Sequence, residues 1–299
     1  MPKLPFVKMH GCGNDYVYVV ADLARPADPA ELAKRLSDRR FGIGGDGLIM
    51  LCPGGERADV RMEMYNADGS RGEMCGNGIR CVARLHYELS GGRKNPVAVD
   101  TDCGVKTIEL KIAGGRASAA TVDMGEPILE GREIPADHDG RIIDYALEVS
   151  GRIERITAVS MGNPHCVVFV ADDGLFGLDD ADFARLGRQF EHHRFFPRRV
   201  NTEFILPMGR DRLRMRVWER GSGETLACGT GACAALVAAV LTGRAERSAV
   251  VELRGGNLEI EWRADGPLAN HVFMTGEAIE VFRGEIEVGD NELIAAGGR

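Results

Sequence analysis

The chain has 299 residues and a formal net charge of −8, with 37 Lys and Arg against 45 Asp and Glu. This acidic balance argues against nucleic acid as a partner, because nucleic-acid-binding modules usually carry a basic surface excess. No apolar run approaches the roughly 20 residues that cross a bilayer, and the N-terminus does not resemble a signal peptide. We therefore expect a cytoplasmic protein that does not contact a membrane.

Four helices are predicted from capping residues and apolar periodicity. They are residues 29–39 after the N-cap Asp28, a segment after Cys75, residues 179–191, and a segment after Cys228. The last contains residues 232–241, which are apolar throughout and are followed by Gly243 as a C-cap. A helix without a polar face should be enclosed on all sides, which predicts a curved sheet around it.

Strands outnumber helices in the prediction. Apolar and polar residues alternate, or short apolar runs occur, in six segments. These are residues 17–20, 60–65, 109–112, 167–170, 213–218 and 258–262. Together with the helices they predict an α+β fold.

Two segments of the chain are similar in sequence: MCGNGIRC at residues 74–81 and ACGTGACA at residues 227–234. Their cysteines, Cys75 and Cys228, lie 153 positions apart (228 − 75). Asn66 and Glu219 are related by the same offset, whereas Gly13-Asn14 and Gly162-Asn163 differ by 149. This repetition predicts two pseudo-symmetric domains of about 150 residues, each with one equivalent thiol.

Glycines directly after both cysteines indicate thiols at helix N-termini. A free cysteine has a pKa near 8.5, so little thiolate is present at neutral pH. Backbone N–H groups at a helix start stabilise a thiolate, and they also bind a carboxylate. Two such thiols on opposite faces of one carbon suit a stereochemical inversion, in which one removes a proton and the other returns one.

Other interpretations of the cysteines and glycines remain open at this point. Both thiols could be buried structural cysteines, the role expected for the other six: Cys12, Cys52, Cys81, Cys103, Cys166 and Cys233. A zinc site is disfavoured because the spacings form no paired CxxC. A cysteine nucleophile with His165 as its base leaves the second thiol without a role. The GIGGDG segment at residues 42–47 follows a helix and precedes a strand, the reverse of a dinucleotide-binding order, so we interpret it as a loop.

Several motifs together carry a resemblance to a known family. They are KMHGCGNDY at residues 8–16, MCGNGIRC, MGNPH at residues 161–165, RVNTEF at residues 199–204, WERGSGET at residues 218–225 and ACGTG. In this order and spacing the sequence closely resembles the diaminopimelate epimerase family, nearly end to end.

The resemblance implies an epimerase that uses no cofactor, neither pyridoxal phosphate nor a metal. It implies two domains, residues 1–127 completed by 276–299 and residues 128–275, each a mixed barrel-like sheet around a central helix, with the active site in the cleft between them. Cys75 and Cys228 would be the acid and base that interconvert LL- and meso-diaminopimelate for lysine and peptidoglycan synthesis. A homodimer is also implied.

The family further implies that His165 and Glu219 help the cysteines exchange protons. Polar groups of the substrate would be bound by ten residues: Asn14, Asn66, Gly76, Asn77, Asn163, Asn201, Glu219, Arg220, Gly229 and Thr230. These residue types fit a substrate with two ammonium and two carboxylate groups, which needs both acceptors and donors. The departure from the family is Gly47, where some members carry a glutamine.

Alternatives to this assignment remain. His165 could cap a turn, and Glu219 with Arg220 could be a solvated surface pair. A related two-cysteine racemase acting on proline or histidine would share the chemistry, although Asn77 stands where proline racemases have a histidine. A binding protein that performs no proton transfer is a third possibility.

Overall fold

The structure is a computed structural model that describes residues 2–289 and 291–294. The chain divides into two compact units. Unit 1 is Met1–Val122 with Gly276–Arg299, and unit 2 is Asp123–Thr275. Each unit has its own series of paired strands and its own central helix, so the two are described in turn.

Four α-helices occur among the described residues: α1 (Pro29–Ser37), α2 (Gly76–Leu89), α3 (Asp180–Glu191) and α4 (Gly229–Leu241). The strands up to residue 123 are β1 (Lys3–Gly11), β2 (Asn14–Val20), β3 (Arg25–Pro26), β4 (Gly47–Pro53), β5 (Val60–Asn66), β6 (Arg71–Gly72), β7 (Val97–Thr101), β8 (Gly104–Ala113) and β9 (Arg116–Asp123). They are followed by β10 (Tyr145–Val149), β11 (Arg152–Ser160), β12 (Pro164–Phe169), β13 (Asn201–Pro207), β14 (Arg212–Glu219), β15 (Gly223–Glu224), β16 (Ser248–Leu253), β17 (Gly256–Trp262), β18 (Val272–Glu277), β19 (Ile279–Glu287) and β20 (Leu293–Ile294).

The main sheet of unit 1 has the strand order β19-β1-β2-β4-β5-β7-β8-β9. The pairs β2–β4 and β5–β7 are parallel, and the others are antiparallel. The crossover from β5 to β7 contains α2, as a parallel connection requires. The short strands β3 and β20 form a separate antiparallel pair.

Unit 2 repeats this arrangement strand for strand. Its order is β10-β11-β12-β13-β14-β16-β17-β18, with β12–β13 and β14–β16 parallel. The crossover from β14 to β16 contains α4. The duplication predicted from the cysteine segments is therefore present in the connectivity of the sheets.

Each central helix packs against most strands of its own sheet. Helix α2 contacts β1, β2, β4, β5, β7 and β8, and α4 contacts β11, β12, β13, β14, β16 and β17. All residues of α4 from Gly231 to Ala239 are buried, which confirms the expectation from its uniformly apolar sequence. Its end is also as expected, because Gly243 has a φ of +70° and its N–H bonds to Val240.

The α+β prediction is confirmed, and the six predicted strand segments fall on β2, β5, β8, β12, β14 and β17. The first helix ends earlier than predicted, at Ser37 rather than at residue 39. The carboxylate of Asp38 accepts hydrogen bonds from the N–H groups of Arg40 and Phe41, and this local turn competes with another helical turn. None of the helices in the described residues is long and apolar enough to span a membrane.

Helix α3 is fixed against the core of unit 2 at Gly187. A Cβ atom there would lie 2.3 Å from Cγ of Trp218. The indole cannot easily move away, because it is buried and its N–H donates to the Glu191 carboxylate at 2.7 Å. The absence of a side chain at this position thus lets α3 approach the sheet.

We expect Gly187→Ala to lower the free energy of unfolding by about 1–3 kcal/mol through overpacking. Urea unfolding followed by circular dichroism measures the change. Gly177→Ala is the matched control, because a Cβ at residue 177 would meet nothing within 4 Å. Equal stability of the Gly187→Ala variant and the wild type would contradict the packing argument.

Candidate active site

Cys75 is the N-cap residue of α2, as the following glycines predicted. Its sulfur accepts a hydrogen bond from the N–H of Gly78 at 3.3 Å. The thiol in turn donates to Oδ1 of Asn14 at 3.1 Å. Asn14 is itself held by Asp46, whose carboxylate accepts from Nδ2 at 2.7 Å. Cys75 is therefore a half-buried thiol in a defined orientation.

Cys228 occupies the same position at the start of α4. Its sulfur accepts from the N–H of Gly231 at 3.4 Å and lies 3.4 Å from the hydroxyl of Thr230. The side chain is buried. Both thiols therefore sit at the positive end of a helix dipole, where a thiolate is stabilised.

The two thiols differ in their electrostatic surroundings. Burial raises the pKa of Cys75, but the N–H groups of Gly78 and Asn77, the charge of Arg80 and the hydroxyl of Tyr16 oppose that increase. Burial raises the pKa of Cys228 well above its usual value, and the carboxyl groups of Glu219 and Glu203 add to the effect. The pKa values of both thiols are therefore raised, more strongly at Cys228, where the neighbouring ionisable groups are carboxyl groups.

Arg80 is a fully buried cation on the first turns of α2. It donates to the carbonyl oxygens of Gly76 and Glu277, both at 3.2 Å, and to Oδ1 of Asn77 at 3.0 Å. The side chain of Asn77 is thereby occupied within the protein. The backbone N–H of Asn77 belongs to the first turn of α2, where N–H groups have no acceptor within the helix.

His165 lies in β12 and is fully buried. Its Nε2 lies 3.0 Å from Oδ1 of Asn163, and its Nδ1 lies 2.7 Å from Oε1 of Glu203. Glu203 is also fully buried, and burial raises the pKa of its carboxyl group. The imidazole is held from both sides.

Glu219 is half-buried at the end of β14, where its carboxylate accepts a hydrogen bond from the hydroxyl of Thr225. It does not form a surface ion pair with Arg220. Arg220 is exposed and donates to the carbonyl oxygen of Arg198 at 3.1 Å, and its backbone N–H donates to Oδ1 of Asn201 at 2.7 Å. Asn201 thus fixes the backbone directly after Glu219.

The remaining predicted site residues lie at the end of a strand or at the start of a helix. Asn66 ends β5 and donates to Ser70 Oγ at 2.9 Å. Gly76 and Gly229 are the first residues of α2 and α4. Unit 1 thus contains Cys75, Asn14, Asn66, Gly76 and Asn77, and unit 2 contains Cys228, His165, Glu219, Asn163, Asn201, Arg220, Gly229 and Thr230.

All eight cysteines are free thiols. Five of the six that were expected to be structural are buried, and burial raises the pKa of Cys52 and of Cys81 to about 11. Cys103 is the exception, because it is exposed in the two-residue turn between β7 and β8. The prediction was wrong for Cys103, which makes it a useful reference thiol outside the site.

Three neighbours of the predicted site residues were not predicted from the sequence: Tyr16, Arg80 and Glu203. Each is buried beside a thiol or beside His165. The available signal was a charged residue within an apolar segment, namely Glu203 in a buried strand and Arg80 in a buried helix turn, because such residues are rarely buried without a specific partner.

A model of the family described as diaminopimelate epimerase matches residues 6–130 and again residues 157–281. A diaminopimelate epimerase of Moorella thermoacetica is 52% identical over 282 residues, which cover 94% of this chain and 98% of the relative. One of Acetivibrio thermocellus is 50% identical over 289 residues, covering 96% of this chain and 99% of the relative.

Solved structures share the fold at much lower identity. A PhzF-family phenazine biosynthesis protein of Bacillus anthracis has a TM-score of 0.67 at 15% identity, covering 96% of this chain and all of the other. A hydroxyproline epimerase from Agrobacterium vitis has a TM-score of 0.64 at 16% identity, covering 96% of this chain and 91% of the other. The family model matches most of the chain, and the relatives are 50% and 52% identical over almost its whole length. Together with the two N-capping thiols in duplicated units, these matches show that the chain belongs to the diaminopimelate epimerase family.

Proposed function

We propose that the chain interconverts LL-2,6-diaminopimelate and meso-2,6-diaminopimelate by a two-base mechanism that needs no cofactor. The observation that carries this proposal is the matched pair of N-capping thiols, Cys75 in unit 1 and Cys228 in unit 2. Each functional half, residues 1–127 completed by 276–299 and residues 128–275, contributes one of them.

In one direction, the thiolate of Cys75 removes the α-proton of the substrate and becomes a thiol. The thiol of Cys228 then gives its proton to the opposite face of the same carbon and becomes a thiolate. The reverse reaction exchanges these roles, so the number of protons on the pair is conserved. The starting assignment rests on the donors around Cys75 and the carboxyl groups around Cys228.

Negative charge grows on the α-carboxylate as the proton leaves. The N–H groups of Gly76, Asn77, Gly229 and Thr230 belong to the first turns of the two helices, and they would stabilise that charge in the manner of an oxyanion hole. Such donors are fixed before the reaction, so they require no reorganisation during it.

His165 and Glu219 would assist proton exchange at the thiols. The remaining polar groups of the substrate would be bound by Glu219, which suits an ammonium group, by Arg220, which suits a carboxylate, and by four asparagines. These asparagines are Asn14, Asn66, Asn163 and Asn201. The carboxamides of Asn14 and Asn201 are already anchored within their units, which favours a preorganised site. We further propose that the enzyme is cytoplasmic and acts as a homodimer.

Incubation with LL-diaminopimelate in D2O tests the proposal. We expect deuterium to enter the α-position as the meso isomer forms, followed by mass spectrometry and chiral chromatography. A binding protein without proton transfer would leave the α-hydrogens unexchanged at any protein concentration. Exchange into proline or histidine, with none into diaminopimelate, would instead identify a related racemase.

A further inference from the structure

Glu203 is an acidic residue within the buried strand β13 of unit 2. Its carboxyl group is fully buried, and Oε2 has no hydrogen-bond partner within residues 2–289 and 291–294. The other oxygen, Oε1, lies 2.7 Å from Nδ1 of His165. Burying a carboxylate costs free energy unless its charge is paired. A buried carboxyl group at this position therefore needs a specific partner.

Unit 1 contains a position equivalent to that of Glu203, and the residue found there serves as a comparison. In the parallel pair β2–β4 of unit 1, Ile49 lies opposite Tyr18, and in the parallel pair β12–β13 of unit 2, Glu203 lies opposite Val167. Tyr18 and Val167 correspond under the offset of 149 that relates Asn14 to Asn163. The register therefore makes Ile49 the counterpart of Glu203.

Contacts beneath the two catalytic helices agree with this correspondence. A Cβ atom at Gly78 would lie 2.7 Å from Cδ1 of Ile49, and one at Gly231 would lie 2.7 Å from Oε1 of Glu203. Gly78 and Gly231 are the residues whose N–H groups donate to the two catalytic sulfurs. Glu203 thus replaces an isoleucine in the layer directly beneath an N-capped thiol.

The two units also differ at the position of His165. The same offset and the same sheet register place Tyr16 of unit 1 at the position of His165. Tyr16 presents a hydroxyl group to Cys75 and a hydrocarbon ring to the layer beneath. An imidazole has a second polar atom, Nδ1, that needs a partner when it is buried. The carboxyl group of Glu203 provides that partner where isoleucine could not.

The hydrogen bonds of His165 define how many protons His165 and Glu203 carry together. Oδ1 of Asn163 is an acceptor, so Nε2 carries a hydrogen toward it. Nδ1 then either accepts a hydrogen from a protonated Glu203 or donates its own to the carboxylate. Both arrangements contain the same number of protons and have no net charge, which suits a fully buried pair.

We propose that Glu203 is a positioning residue that shares one proton with Nδ1 of His165 and thereby holds the ring with its Nε2 hydrogen directed at Asn163. The pair supplies a positive charge on the ring, with the compensating negative charge on Glu203, when the proton moves from Oε1 to Nδ1. This inference rests on the proposed function for the role of His165 in turnover, but the geometry of the pair does not depend on it.

Other ionisable groups that act on Glu203 are Glu219 from β14, Cys228 at the N-cap of α4 and Cys166 from β12. All of these are neutral or anionic, so they favour retention of the proton by the pair. Burial and the charge of Glu219 raise the pKa of Glu203 in the same direction.

The first measurement uses the wild-type chain. Nitrogen-15 NMR of histidine-labelled protein, assigned with a His165→Gln variant, should show one ring that keeps its Nε2 hydrogen between about pH 5 and 8. That ring should also show a strongly deshielded Nδ1 hydrogen in the short contact with Glu203. Free exchange of the ring between tautomers over this range would overturn the proposal.

The second measurement uses Glu203→Gln, which preserves the side-chain volume but cannot share a proton. We expect loss of the deshielded signal and a fall in kcat of about 10- to 100-fold, the range found when a group that orients a metal-binding histidine through its second nitrogen is removed. KM should change by less than about threefold, because the side chain of Glu203 is fully buried and is not expected to contact the substrate. The pH profile of kcat should change shape.

Glu252→Gln is the matched control, because it removes a carboxylate of unit 2 that pairs with Arg212 at the surface. It should leave the ring signals and kcat unchanged. A Glu203→Gln variant with wild-type kcat, pH profile and ring signals would overturn the proposal. The proposal would also be overturned if kcat fell only because the midpoint of thermal unfolding fell strongly, while the ring signals of His165 persisted.

The failure of the proposed function would look different. If wild-type protein exchanged no α-hydrogen of diaminopimelate, the epimerase assignment would fail although the ring signals of His165 stayed as expected. If exchange proceeded normally while His165 changed tautomer freely, only the role of Glu203 would fail.

Discussion

Replacement of either proposed catalytic thiol by alanine should reduce epimerisation by about 10²- to 10⁴-fold, the range for loss of a positioned acid or base. Cys75→Ala and Cys228→Ala each remove the proton carrier for one face of the α-carbon. The remaining thiol can still exchange the hydrogen on its own face, so inversion should suffer more than exchange. Chiral chromatography and deuterium incorporation, measured on the same sample, separate the two.

Serine and Cys103 provide the controls for this experiment. Serine is a good N-cap residue, so Cys75→Ser and Cys228→Ser should keep the helix starts while inverting substrate poorly, since a hydroxyl is a much weaker acid than a thiol. Cys103→Ala removes an exposed thiol outside the site and should leave the rate unchanged. Near wild-type inversion by either Cys→Ala variant would refute two-base chemistry.

Arg80→Met should weaken both the start of α2 and the thiolate of Cys75. Loss of the guanidinium leaves the acceptors on Gly76, Asn77 and Glu277 without this donor. We expect the free energy of unfolding to fall by about 1–3 kcal/mol, because the buried acceptor of Asn77 is left unsatisfied. Urea unfolding measures this change.

The same substitution has a defined effect on reactivity toward alkylating reagents. The charge of Arg80 lowers the pKa of Cys75, so its removal raises that pKa and reduces the thiolate fraction at a given pH. In a Cys228→Ala background, the pH profile of iodoacetamide alkylation at Cys75 should therefore move to higher pH. Peptide mass spectrometry identifies the alkylated residue.

Arg84→Met is the control for Arg80→Met. Arg84 lies one turn further along α2, where it pairs with Glu88. Its removal should leave the alkylation profile of Cys75 in place. An unchanged profile in the Arg80→Met variant as well would show that the buried guanidinium does not support the thiolate.

Local sequence was sufficient to predict the features that depend on neighbours along the chain. Both cysteines cap helices because glycines follow them, and α4 is enclosed because every face of its sequence is apolar. Four of the predicted strands were found through alternation, which reports one buried face, and the strands at residues 17–20 and 167–170 through short apolar runs. The end of α1 was missed because a turn around Asp38 competed with the helix, and Cys103 was misjudged because residue type alone does not report exposure.

The amino-acid sequence by itself determined the helix-capping thiols, the duplication that pairs them and the family to which they belong. Only the tertiary structure decided what lies beneath each thiol. Sheet register brings Glu203 to His165 across 38 positions of the chain and places Ile49 at the equivalent point of unit 1. Hydrogen bonds between strands set that register, and residues so far apart in sequence have no local pattern that reveals their contact.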